Sequence, residues 1–169
     1  MRKNHRTRMF YWSWVILWMA LIFVLSGQPA AESSGLSGML IRRFLEFFMP
    51  GFNSMDMSYQ AAAIESLQFI VRKSAHFSSY AILGGFGILA FSQYPLDRPR
   101  RISYAVLICV LYAATDEIHQ LFVPGRSAEL GDVAIDTAGA LVGIFVVSIA
   151  TRLVAGRGGR RRTPVRRTP

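Results

Sequence analysis

Apolar residues gather into four stretches separated by polar and charged links: residues 10–26, which carry no charge, 74–91, 102–123 and 133–153. Each approaches the roughly 20 residues that cross about 30 Å of hydrocarbon as a helix. A few such stretches cannot close a barrel, and lipid leaves no backbone polar group without a partner, so only helices can span. The pattern predicts an all-α membrane protein with four transmembrane helices. It leaves no room for a separate soluble domain.

The connection over residues 27–73 is too long for a plain loop. Leu36, Met39, Leu40, Phe44 and Phe47 share one helical stripe, with Arg42, Arg43 and Glu46 away from its centre. That is the pattern of a short helix lying in the outer interface. Pro50-Gly51 ends it, and residues 53–56 offer caps for a second helix through Ala61, Ala62, Ala63 and Ile64 that leads into the second span. A cleaved signal peptide is the rival reading of the first stretch, with Arg2, Lys3, Arg6 and Arg8 before it and Gln28-Pro29-Ala30-Ala31 after it. Its apolar core is long for that role and carries Tyr11, Trp12, Trp14 and Trp18, which suit a retained anchor.

Composition agrees with this picture. Hydrophobic residues make up 52% of the 169 residues and DEKR only 17%, against about 25% in soluble domains; the mean hydropathy is +0.32. A disordered chain and a disulfide-stapled module are excluded, and lone Cys109 is a packing residue. The formal charge of +9 would also fit a nucleic-acid binder, so the distribution of charge decides. Fourteen of the 19 basic residues fall before the first span, between the second and third, or in the C-terminal segment from Arg152 to Arg167. By the positive-inside rule both termini are cytoplasmic. The chain then divides into a basic N-terminus (1–9), the four-helix domain (10–153) and a basic tail (154–169). With no aromatic residue for base stacking, that tail is read as topogenic and lipid-hugging, and no nucleic-acid partner is expected.

Candidate chemistry lies at the ends of the last three spans. The second opens with Lys73, His76 and Tyr80, the third closes with Asp116, Glu117, His119 and Gln120, and the fourth opens with Asp132 and Asp136. All three sets fall at the external end of the predicted bundle. At 100° per residue, Lys73, His76 and Tyr80 share a face that continues inward through Gly84 and Gly87, while Asp132 and Asp136 share one with Gly139 and Gly143. Gly139-x-x-x-Gly143 is a small-xxx-small pattern that lets helix backbones approach closely. An outward-facing polar pocket above a glycine seam is therefore expected. An acid inside the membrane costs about 2.5–3.5 kcal/mol at the helix centre, so such residues pair with one another or serve a site. The structural alternative is an ion-pair network in which Lys73 and Arg126 meet Asp116, Asp132 or Asp136 and hold the helices in register.

Three blocks carry a resemblance: Lys73-Ser74-Ala75-His76-Phe77-x-x-Tyr80-x-x-Leu83, then Asp116-Glu117-x-x-Gln120-x-Phe122-x-Pro124-x-Arg126, then Asp132-x-x-x-Asp136-x-x-Gly139-x-x-x-Gly143. In this order they resemble the VanZ-like membrane proteins, a family whose founding member gives low-level teicoplanin resistance. The resemblance implies a multi-pass protein of a bacterial cell membrane. It supplies no molecular mechanism.

Two function classes follow. In the first, an enzyme acts on a lipid-linked or envelope substrate: Lys73, Tyr80, Arg126, Asp132 and Asp136 hold the substrate, with Lys73 and Arg126 clamping an anionic group. His76 or His119 is then acid or base, oriented by Asp116 or Glu117, with Gln120 beside them. In the second, a non-catalytic protein binds a lipid or lipoglycopeptide, and the polar cluster is structural. No cofactor is expected. Zinc is disfavoured because no two histidines sit four apart and because Lys73 and Arg126 bring positive charge to the pocket, which favours an anion.

Overall fold

The computed structural model describes residues 5–159, with side chains over 5–155; the first residues of the basic N-terminus and most of the basic tail lie outside the described residues. The described chain is all-helical: α1 (His5–Ser26), α2 (Ala30–Phe48), α3 (Met57–Phe91), α4 (Arg98–Gln120) and α5 (Leu130–Gly159), with a short 3₁₀ turn at Phe52–Ser54. Among them, α1, α3, α4 and the 130–155 part of α5 are long and apolar enough to cross a membrane.

Local chemistry explains the breaks. The first helix stops before Pro29. After α2 the chain reverses through Gly51, whose φ of 90° suits a residue without Cβ, and Asp56 caps α3 by accepting from the Ser58 amide at 3.1 Å. At 35 residues, α3 is about 52 Å long, well over the thickness of one hydrocarbon layer. Its first turns therefore form a hairpin with α2, where Gln68 donates to the Ser34 carbonyl at 2.7 Å. The polar side of α2 faces α3. Its apolar stripe, Leu36 to Phe47, points away from the protein and is 56–79% exposed.

The bundle is organised by α3 and α5, which run parallel and make the most extensive contact in the molecule. Glycine permits this. A methyl group on Gly139 would overlap the Phe77 carbonyl, one on Gly143 the Ala81 carbonyl, and one on Gly84 the backbone of Ala140. Such backbone contact replaces the hydrophobic drive that lipid removes between helices. Around the seam, Val15 and Ile22 of α1 pack with Tyr80, Leu83, Cys109, Ala113 and Ala140 in one buried cluster. Indole hydrogen bonds fix α1 along α3: Trp18 donates to the Ser79 carbonyl at 2.9 Å, and Trp12 to the Tyr94 hydroxyl at 3.0 Å.

A test of the seam follows. Gly143→Ala forces backbone apart in an overpacked contact and is expected to cost about 1–3 kcal/mol in a detergent unfolding titration. Gly131→Ala, where an added methyl meets nothing within 4 Å, is the control. Equal stability of the two variants would show that the seam does not hold the bundle.

Candidate functional site

The polar residues of α3, α4 and α5 meet at one end of the bundle, where the 121–129 loop folds back over the link between α1 and α2. Gly125 takes a φ of 75° there. The Ala30 amide donates to the Pro124 carbonyl at 3.2 Å, and Arg126 Nε donates to the Gln28 carbonyl at 3.3 Å. This loop is what carries Arg126 to the other polar residues.

The cluster divides into two halves. In the first, Lys73 donates to Glu129 at 3.0 Å and pairs with Asp132. Lys73 and Asp132 are largely buried, with side chains 15% and 9% exposed. One turn away, Glu117 accepts from the Glu129 amide at 2.7 Å and so anchors the loop before α5. Lys73 and its two carboxylates are paired with one another, while Glu117 is held through one oxygen, its Oε1 buried without a partner among the described residues.

The second half lines a cavity of about 260 Å³ between α1, α2 and α3. Arg72, His76 and Tyr80 enter it from α3, Arg126 from the loop, and a row of serines from α2. Neither Arg72 nor Arg126 has a carboxylate partner among the described residues. Burial, and next the nearby charge of Arg72, push the Arg126 pKa down from its ordinary value, yet a guanidinium remains charged in any accessible pH range. Behind the cavity, Asp136 is fully buried and lies 3.5 Å from His76 Nδ1. The Tyr80 hydroxyl is buried and has no hydrogen-bond partner among the described residues. Asp116, 2% exposed, accepts from the cavity-lining Ser26 hydroxyl at 2.6 Å and from Gln120 at 3.3 Å.

Of the residues singled out from sequence, His76, Tyr80 and Arg126 line this cavity, and Asp136, Asp116 and Gln120 stand behind it. Lys73, Asp132 and Glu117 belong to the ion-paired half. His119 lies apart from both, its ring stacked on Phe23 with centroids 4.0 Å apart. Since α4 ends at Gln120, Asp116 sits one turn from the helix end, shallower than a helix running to residue 123 would place it. Among the described residues, no three His, Cys, Asp or Glu side chains are grouped closely enough to hold a metal ion.

Sequence reasoning counted Arg72 only as a charge and did not place Ser26, Gln68 or the α2 serines in a site. A signal was present for both. Adjacent helical residues differ by 100°, so Arg72 and Lys73 had to face different neighbours, and Ser33, Ser34 and Ser37 form a polar stripe on α2.

A family model described as VanZ/LLP1 matches residues 11–151. No curated protein and no solved structure matches the chain.

The ion-paired half has its own test. Removing one partner of a buried pair leaves a bare charge, so Lys73→Met is expected to lose about 3–5 kcal/mol of stability. Adding Asp132→Asn should recover part of that loss, with a coupling energy above about 0.5 kcal/mol in a double-mutant cycle. Strict additivity would mean that the pair does not lock α3 to α5.

Proposed function

The chain belongs to the VanZ/LLP1 family, and from that premise we propose that it binds the anionic group of a lipid-linked envelope molecule in the cavity under Arg72 and Arg126. One observation carries this reading: the cluster neutralises Lys73 with two carboxylates and leaves the two cavity arginines with none among the described residues. A guanidinium fork matches phosphate or carboxylate in a bidentate manner. The α2 serines add hydroxyls from the opposite wall, and the Tyr80 hydroxyl, without a hydrogen-bond partner among the described residues, adds a donor from α3. In this reading Arg72 takes the clamping role that sequence spacing assigned to Lys73.

His76 is the group placed for acid–base chemistry. Asp136 lies directly behind its ring, and such contacts are often long before substrate arrives and tighten when it binds. Asp136 would hold the ring's orientation and stabilise its protonated form. Asp116, tied to Ser26 and Gln120, would keep the adjacent wall in place. Glu117, Asp132 and Lys73 act as scaffold, and His119 as packing against Phe23. The rival reading, a lipid or lipoglycopeptide binder without chemistry, is favoured by the share of the cluster already spent on ion pairs. In either case the apolar stripe of α2 would lie in the outer interface, with both termini in the cytoplasm of a bacterial cell. Any role in teicoplanin resistance would act through the molecule bound.

Farnesyl phosphate, an isoprenyl monophosphate, serves as the probe. Loss of two charge-assisted contacts is expected to weaken its binding by about tenfold or more in the Arg72→Gln/Arg126→Gln variant. His76→Gln should bind normally and lose any turnover. Unchanged affinity in the double arginine variant would refute the site; unchanged turnover in His76→Gln would remove His76 from the chemistry, and binding without turnover by wild type would leave the binder reading. Reporter fusions at residues 50–56 should read external and those at 95–101 cytoplasmic, and the reverse would move the pocket to the inner face.

A further inference from the structure

The far end of the bundle contains a second, larger cavity of about 460 Å³. Arg98 and Arg101 reach it from the first turn of α4 and Arg152 from the last turns of α5, while Ile88, Leu89 and Val147 form its apolar wall. We propose that this cavity is a second anion site, built for the phosphate of an anionic phospholipid in the leaflet at that end.

Three arginines converge with no acidic residue among the lining side chains. The acid nearest in sequence, Asp97, is exposed and lies 3.5 Å from Arg100. Neither Arg98 nor Arg152 pairs with a carboxylate among the described residues. Arg101 donates its Nε to the Leu96 carbonyl at 2.7 Å, a contact that orients its guanidinium and leaves both terminal nitrogens for a ligand. The cavity also lies at the start of α4, where Asp97 forms no side-chain cap. Pro99 has no amide hydrogen and the Arg101 amide donates to the Asp97 carbonyl at 3.2 Å, so the guanidinium groups are the donors that carry the site.

Depth and polarity distinguish a lipid from free phosphate. Arg152 is sixteen residues beyond Asp136 on α5, and Ser92, the residue that follows α3, is sixteen beyond His76. Both separations are about 24 Å at 1.5 Å per residue, near the thickness of one hydrocarbon layer. The two cavities thus occupy the two faces of one bilayer. In the second, the apolar wall comes from residues deeper in the bundle and the arginines stand at the end, which is the polarity of an amphiphile entering phosphate outermost. A small inorganic ion has no use for that wall.

The purified full chain in detergent, analysed by native mass spectrometry, tests the proposal with phosphatidylglycerol and phosphatidylcholine as probes. Wild type should hold one phosphatidylglycerol at least about tenfold more tightly than phosphatidylcholine. The Arg98→Gln/Arg101→Gln/Arg152→Gln variant should lose this preference, and Arg43→Gln, on exposed α2 outside both cavities, should keep it. Arg98 and Arg152 are exposed, so their single Gln variants preserve packing and should each weaken retention severalfold even if the triple variant folds poorly. Equal retention of both lipids by wild type, or unchanged preference in these variants, would overturn the proposal. So would displacement of the lipid by millimolar inorganic phosphate, which would identify a free-phosphate site.

Discussion

Contact between the backbones of α3 and α5 is the constraint on which the rest of this molecule depends. Two parallel helices approach until the Phe77 and Ala81 carbonyls lie against Gly139 and Gly143. The same register brings Lys73 to Asp132 and His76 to Asp136 on the turns just outside it. Side chains on helices held at ordinary separation, 8–10 Å between axes, would place these groups differently. The seam is thus both the packing that replaces a water-driven core and the ruler that sets the distances in the polar cluster.

Once that register is fixed, the charges have two distinct uses. Lys73, Glu129, Asp132 and Glu117 join α3, α4, α5 and the 121–129 loop, with the carboxylates arranged around the one ammonium and one backbone amide. Their attraction offsets the cost of removing them from water but adds little net stability. What they provide is alignment. That alignment leaves Arg72 and Arg126 without a carboxylate among the described residues, beside a cavity whose other walls come from α1 and α2.

Much of this arrangement was legible in the residue pattern. Hydropathy alone marks four helices able to span a membrane, and the spacing of glycines and polar residues places Gly139, Gly143, His76 and Asp136 on converging faces. Periodicity, however, gives angle and not partner. It could not say that Lys73 would be neutralised by Glu129, because Glu129 lies in a loop without a period. Nor could it separate His119 from Asp116, which share a stripe on α4 although one stacks on Phe23 and the other accepts from Ser26. The role of α2 depended on tertiary packing: its serines turn toward α3 and its apolar stripe outward, and only that docking creates the cavity.

The most direct measurement is an experimental structure of the full chain with a short-chain alkyl phosphate bound. The account predicts the phosphorus in the cavity between α1, α2 and α3, within about 4 Å of both the Arg72 and Arg126 guanidinium groups, with the Lys73 pairs to Glu129 and Asp132 intact. Phosphate held instead by Lys73, with Asp132 displaced from it, would contradict the account.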